Sequence, residues 1–260
     1  MTSRIGVLGA GGRMGRAIIA EVGRTPGATL AGAAERAGHP AMGEALSGDL
    51  TISCNTSSLA HQSDVLVDFT TPDALAANLD AALSAKCGIV IGTTGLTDAQ
   101  LRAVDNASGH IAVLQTANTS LGITMLAALV TKATAALGED WDIEVVEMHH
   151  RDKVDAPSGT ALMLGEAAAK GRGRPLSALR AKPRDGTNAA RKPGSIGMAA
   201  LRGGSVAGDH SVVLAGDGER LEFTHRAESR TTFARGAVRA AVWLAKKRAG
   251  LYTMTDVLGL

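Results

Sequence analysis

The stretch "EMHHRDKVDAPSGTA" (147–161) crowds two histidines, Lys153, two aspartates and Ser158 into fifteen residues. Groups of these types suit proton transfer, metal ligation or nucleophilic attack, and spacing separates the three. A metal site would draw on His149, His150, Asp152 and Asp155. Adjacent histidines on a strand point to opposite faces, and the stretch has no His-x-His or His-x-x-x-His pair, so no metal is expected. Ser158 has no nucleophile elbow around it, which argues against a hydrolase triad. A charged, solvated loop is the plain alternative, and the residues of this stretch do not decide against it.

A second chemical pattern lies near the N-terminus. "GVLGAGGRMGR" (6–16) sits between a strand-like run and a helix-like run. Glycines in that place let the backbone approach a pyrophosphate, and the helix start offers free N–H groups with partial positive charge. The spacing Gly9-x-x-Gly12-x-x-Gly15, with Gly11 as an extra, is not the strict Gly-x-Gly-x-x-Gly, and tight βα packing alone would also use it. Glu35 follows Gly15 by twenty residues, where an acid accepts a hydrogen bond from the ribose of NAD. Arg36 comes next and suits the 2′-phosphate of NADP, so use of either NADH or NADPH is expected. "GTTG" (92–95) and "TANTS" (116–120) end two later strands with small polar residues. In a parallel sheet that edge is where a ligand lies.

Elements must position these groups. Apolar runs at 4–9, 28–35, 64–70, 88–94 and 111–118 read as strands without polar alternation. Helix-like runs at 12–24, 72–85 and 97–108 separate them, which predicts a parallel sheet covered on both faces. The second half begins with an apolar helix at 120–137 and a half-exposed strand at 141–148. A helix at 158–171 follows, then an Arg-, Lys-, Pro- and Gly-rich stretch at 172–194 that reads as a mobile loop, one that would close over a ligand. Strands are expected at 196–202, 209–216 and 219–227, and a helix at 230–248. The fold class is therefore α/β. A Rossmann-like dinucleotide domain (1–119) is expected to regain a C-terminal helix (231–260). An α+β domain (120–230) with a mixed, largely antiparallel sheet is expected to bind substrate and oligomerise. No internal repeat is visible.

Composition excludes several other classes. Of 260 residues, 45% are hydrophobic and 20% charged, as in an ordinary soluble globule. A net charge of +2 gives no nucleic-acid surface, and one Tyr, two Trp and three Phe make no base-stacking platform. Cys54 and Cys87 are far apart and form no disulfide or zinc pattern. Neither a signal peptide nor a membrane span is apparent, so a cytoplasmic protein is expected.

The order of the letters adds a resemblance. "GAGGRMGR" (9–16), "DFT" (68–70), "GTTG" (92–95), "E-x-HHRDKVDAPSGTA" (147–161), "R-x-G-x-x-x-G-D-H" (202–210), "H-x-A-x-S-R-x-x-F-A-x-G-A" (225–237) and "GLYTMTDVL" (250–258) run nearly end to end. With them the chain resembles the 4-hydroxy-tetrahydrodipicolinate reductases, also called dihydrodipicolinate reductases, of diaminopimelate and lysine biosynthesis. The His-His-x-x-Lys-x-Asp-Ala-Pro-Ser-Gly-Thr block carries most of that weight.

The resemblance implies hydride transfer from NADH or NADPH to C4 of a cyclic imine dicarboxylate, with loss of water from C4 and proton delivery to C3. It makes His149 the proton donor and acceptor and Lys153 a second proton donor, with His150, Gly159 and Thr160 as substrate contacts. Gly9, Ala10, Gly11, Gly12, Arg13 and Met14, with Glu35 and Arg36, would hold the adenosine half and the pyrophosphate. Gly92, Thr93, Thr94, Thr116, Ala117, Asn118 and Thr119 would line the nicotinamide end. Thr119 stands where the family usually has an aromatic, which touches the packing beside the nicotinamide. The resemblance also implies a homotetramer built by strands of the second domain, domain closure over ligands, and structural or interface roles for Arg202 and Arg230. Two rivals are another Rossmann reductase of an imine or semialdehyde, and a dinucleotide sensor without chemistry. The first would not be expected to carry the His-His block, and the second predicts erosion at His149 or Lys153, which are both present.

Overall fold

The computed structural model describes residues 2–187, 189–229 and 231–260. Arg230, read above as structural or interfacial, lies outside the described residues. The chain runs through β1 Ser3–Leu8, α1 Arg13–Val22, β2 Ala28–Ala34, β3 Ile52–Ser53, α2 Thr56–Gln62, β4 Val65–Asp68, α3 Leu75–Ala85, β5 Gly88–Ile91, α4 Asp98–Ser108 and β6 Ala112–Gln115. It continues through α5 Leu121–Leu137, β7 Asp142–His149, α6 Gly159–Gly171, α7 Leu176–Leu179, β8 Ile196–Arg202, β9 Asp209–Gly216, β10 Glu219–Arg226, α8 Thr231–Leu244, β11 Gly250–Tyr252 and α9 Met254–Leu258. Two compact units result: Met1–Leu121 with Arg230–Leu260, and Gly122–Ser229.

The first unit is a seven-stranded sheet in the order β3-β2-β1-β4-β5-β6-β11, with every pairing parallel. Its central strands are buried throughout because helices cover both faces. Val65 and Val67 join Ile5, Ile18 and Val238 in one core, while Leu66 between them joins Ile89, Leu79 and Val104 in the other. That alternation is the period of two of a strand expressed on two buried faces. Thr97 and Gln100 form a reciprocal capping box that starts α4. The strand order reverses between β1 and β4, which opens a crevice at their carboxyl ends.

The tail corrects one expectation. Residues 231–260 are not one helix: α8 ends at Leu244, and β11 then pairs with β6 before α9. The charged "KKRAG" stretch follows the helix end, and the residues from Gly250 onward complete the sheet edge. The short β3 and α2 also escaped the sequence reading, since two residues give no periodicity and α2 is polar.

The second unit is a mixed sheet in the order β10-β9-β7-β8, where β7 runs antiparallel to β9 and parallel to β8. Residues of α5, α6 and α7 cover one face, and Val130, Leu164, Leu176, Ile143, Val145 and Val212 form the core between. The 172–194 stretch is not devoid of structure. It contains α7, and its Arg184 and Arg191 both pair with Glu144 of β7. Among the described residues, no helix is long and apolar enough to cross a membrane.

Candidate active site

In the first unit the glycine loop follows β1 at the crevice. Gly9 has φ +71°, and a Cβ at Gly15 would stand 2.1 Å from the Gly9 carbonyl oxygen, so α1 can reach the loop only with glycine there. A Cβ at Gly11 would strike the His39 ring at 2.3 Å. Gly12 is the N-cap of α1, offers no side-chain cap, and the first turn holds no acid. The first turn of α1 thus carries no side-chain cap and no acid that would compete with an anionic ligand there. Glu35 folds over this loop, its Oε2 accepting from the Gly11 N–H at 3.0 Å and its Oε1 from the Arg36 N–H at 2.9 Å. A cavity of about 440 Å³ is lined by Gly9, Gly12, Glu35, Arg36, Thr70 and Asn78, among others. Its size and donors fit the adenosine end of a dinucleotide.

Substitution of Gly15 by alanine is expected to cost about 1–3 kcal/mol through overpacking and to weaken dinucleotide binding. Thermal unfolding with and without NADH measures both, and an unaltered melting temperature would contradict this reading of the loop.

The "GTTG" and "TANTS" turns end the neighbouring strands β5 and β6, so they share one edge. A Cβ at Gly92 would meet the Phe69 ring at 2.3 Å, which explains the glycine. Buried Asp68 organises this edge: its carboxylate accepts from the Thr70 N–H at 2.9 Å, the Thr70 hydroxyl at 2.6 Å and the Asn78 amide at 2.9 Å. The motif "DFT" alone gives no sign of that role, which depends on Asn78 ten residues on. Thr119 is buried at this edge, its side chain turned to α8 and its hydroxyl donating to the Phe233 carbonyl at 2.8 Å.

In the second unit the period of β7 puts Ile143, Val145, Glu147 and His149 on the covered face. Register then sets His210 of β9 opposite Glu147 and Arg202 of β8 opposite His149. Glu147 is 1% exposed and accepts four hydrogen bonds. Arg202 reaches its Oε2 through Nη1 at 2.9 Å and its Oε1 through Nη2 at 3.0 Å, a two-pronged clamp. His149 Nδ1 lies 2.5 Å from Oε2, and the Ser158 N–H donates to Oε1 at 3.2 Å. Burial acts to raise the Glu147 carboxyl pKa, but the bonds from Arg202, His149 and Ser158 outweigh it and hold the pKa below the usual range. An ionised carboxylate only accepts, so Nδ1 of His149 carries the hydrogen and Nε2 is left for other work. Nε2 faces Gly208, where a Cβ would stand 3.0 Å away.

Ser158 caps α6, its Oγ accepting from the Ala161 N–H at 3.2 Å and lying 3.0 Å from His210 Nε2. Gly159 and Thr160 open that helix. Lys153 Nζ donates to Asp155 Oδ1 at 2.6 Å, and this ammonium lowers the Asp155 carboxyl pKa. His150 anchors the strand end by its N–H to Val206 O at 2.8 Å. The sequence-predicted set His149, His150, Lys153, Gly159 and Thr160 thus gathers at the end of β7 and the start of α6. Arg202, expected in a structural or interface role, grips the carboxylate that His149 touches. Glu147 and His210 were missed as site residues; carrying the alternation of "WDIEVVEM" one residue further would have put Glu147 and His149 on one face. Among the described residues no cluster of three or more His, Cys, Asp or Glu could hold a metal.

His210 predicts a pH dependence. Burial, then the charge of His149, push its pKa from 6.5 to about 4, partly opposed by Glu147. The unfolded chain then binds the proton more tightly than the folded one, so stability is full above pH 6.5 and falls as pH drops towards 4. The loss approaches about 3 kcal/mol. Glu147 acts in the same direction further into acid, its contribution being lost as pH falls through its lowered pKa. Urea midpoints measured across this range should fall for wild type and less steeply for His210→Gln; equal slopes would refute it.

A seven-stranded Rossmann-like sheet with a glycine loop, joined in one chain to a mixed-sheet unit holding a poised histidine, defines a dinucleotide-dependent oxidoreductase. Residues 3–119 match the family described as dihydrodipicolinate reductase, N-terminus, and residues 122–258 match its C-terminus. The chain belongs to the dihydrodipicolinate reductase family. It is 54% identical to the 4-hydroxy-tetrahydrodipicolinate reductase of Zymomonas mobilis over 99% of this chain and 97% of that protein. The namesake from Methylocella silvestris is 50% identical over the same shares. A dipicolinate-bound dihydrodipicolinate reductase from Paenisporosarcina sp. TG-14 shares the fold, with a TM-score of 0.81 at 22% identity over 98% of this chain and 99% of that one.

Proposed function

We propose that this chain reduces 4-hydroxy-tetrahydrodipicolinate to tetrahydrodipicolinate with NADH or NADPH, within diaminopimelate and lysine biosynthesis. The observation that carries the reading is His149, fixed through Nδ1 to Glu147 beside the Ser158-Gly159-Thr160 helix start. Substrate, NAD(P)H and one proton become tetrahydrodipicolinate, NAD(P)⁺ and water. A bound nicotinamide supplies the hydride that C4 accepts.

The chain's own residues do the rest. His149 delivers the proton to C3 from Nε2 and recovers one from solvent. The N-terminal turn of α6, with the Thr160 hydroxyl, receives one substrate carboxylate. Lys153 exchanges Asp155 for a substrate carboxylate and serves as the second proton donor, its charge also offsetting the density that the ring nitrogen gains. His150 adds a substrate contact. Residues 9–14 hold the pyrophosphate, Glu35 the ribose and Arg36 a 2′-phosphate when one is present. Gly92 to Thr94 and Thr116 to Thr119 border the nicotinamide, Thr119 through its backbone. The uncovered face of the second unit's sheet carries Val146, Met148, Leu201 and Val213, apolar area that suits pairing of copies into a homotetramer. The chain's place of action is the cytoplasm, where NADH and NADPH are both dissolved.

The test is to add freshly generated 4-hydroxy-tetrahydrodipicolinate to the purified protein with NADH or NADPH and follow nicotinamide absorbance. Oxidation of both cofactors is expected, with Arg36→Ala raising KM for NADPH more than for NADH. Dinucleotide binding without any oxidation would overturn the proposal in favour of a sensor.

A further inference from the structure

We infer that Glu147 is the positioning residue of this site, tying the proton-bearing ring of His149 and the carboxylate-binding start of α6 to one buried anchor. The inference rests on the reductase reading above. Glu147 uses each carboxylate oxygen twice. Oε2 takes Arg202 Nη1 and His149 Nδ1, and Oε1 takes Arg202 Nη2 and the Ser158 N–H. All four partners are donors, so the position admits an acceptor at both corners and nothing else. A glutamine would offer one oxygen and one NH₂, and whichever way it turned, two donors would face the NH₂.

The groups that face Glu147 come from every neighbouring element: His149 on β7 itself, Arg202 on β8, His210 opposite on β9, and the Ser158 N–H at the start of α6. The Lys153 carbonyl and the Asp155 carbonyl in turn accept from Arg202 Nε at 3.4 Å and Nη2 at 2.6 Å. The clamp therefore also ties down the segment that carries Lys153. Because Oε2 fixes the hydrogen on Nδ1, the lone pair or proton of the reacting nitrogen is at Nε2. Because Oε1 holds the Ser158 N–H, the first turn of α6 stays at a set distance from that ring. One residue thus governs both proton delivery and substrate placement without touching substrate.

The two oxygens predict two separable effects. Glu147→Gln is expected to lower kcat on the order of 10²-fold through His149 and to raise KM through α6. In a His149→Gln background, adding Glu147→Gln should change kcat by less than about two-fold, since the proton donor that Oε2 positions is already gone, while the rise in KM should persist. A merely structural role would instead change kcat and KM by the same factors in either background. Nitrogen-15 NMR of the free protein supplies a readout independent of turnover: neutral His149 should carry its hydrogen on Nδ1 in wild type and lose that preference in Glu147→Gln.

If Glu147→Gln does not fold, Arg202→Lys serves, keeping the charge but losing the fork. It should lower kcat and mix the two ring forms. Unchanged ring signals and kcat in either variant, or a wild-type ring protonated at Nε2 alone, overturns the inference. A wild type that is inactive on the imine yet shows the Nδ1 signature sinks the reductase reading alone and still supports the Glu147–His149 link.

Discussion

Replacement of His149 by glutamine lowers kcat by about 10²- to 10⁴-fold, the range over which a positioned acid–base group acts. Glutamine keeps much of the volume and can still donate to Glu147 from its side-chain amide. It cannot lend a proton from the far side of a ring. The fold should therefore persist, because the covered face of β7 rests on Ile143 and Val145 and Arg202 still clamps Glu147. KM should move far less than kcat, since the carboxylate-binding groups belong to α6 and Lys153. Steady-state kinetics with both cofactors checks the split. A variant that keeps wild-type kcat would remove His149 from the proton path and leave Lys153 as the remaining donor.

The largest expected loss of stability comes from Arg202→Met. Methionine retains an apolar stem but leaves the 1%-exposed Glu147 carboxylate without its clamp. Breaking a buried pair by removing one partner costs about 3–5 kcal/mol, because the remaining charge stays out of water. His149 and the Ser158 N–H compensate only in part. Urea unfolding at neutral pH measures the loss. The carboxyl of Glu147 should also take up a proton more readily, so the deficit should shrink in acid, where the unpaired carboxylate is neutralised. A loss below about 1 kcal/mol, the level of an exposed ion pair, would show that Glu147 reaches water and does not depend on Arg202.

Much of this arrangement was legible in the sequence because its physical causes are local. The apolar runs of β1, β4, β5 and β6 read directly as buried parallel strands, and "WDIEVVEM" read as a strand with one covered face. Glycines such as Gly9 and Gly15 reported a close approach of backbone to backbone. What stayed hidden depends on register between distant segments. Nothing near Arg202 or His210 in the chain says that β8 and β9 flank β7 so as to bring both to Glu147. Asp68 was hidden for the same reason, since its partner Asn78 lies on the following helix, and only the folded crevice makes them meet. Thr119 shows a different limit: its small polar character suited a ligand edge, whereas burial against α8 gave its hydroxyl a backbone partner in Phe233. The 172–194 stretch read as a loop from its Arg-, Lys-, Pro- and Gly-rich composition, which could not show that Arg184 and Arg191 both pair with Glu144 of β7.

The most direct measurement follows the hydride and the proton by isotope. The purified protein would be given 4-hydroxy-tetrahydrodipicolinate and NADH carrying deuterium at its transferable position, and in a second run unlabelled NADH in heavy water, with the product read by NMR. Deuterium from the cofactor at C4 and deuterium from solvent at C3, the second lost with turnover in His149→Gln, is the expected result. Cofactor label at any other carbon, or no labelled product at all, would contradict the reduction assigned to this site.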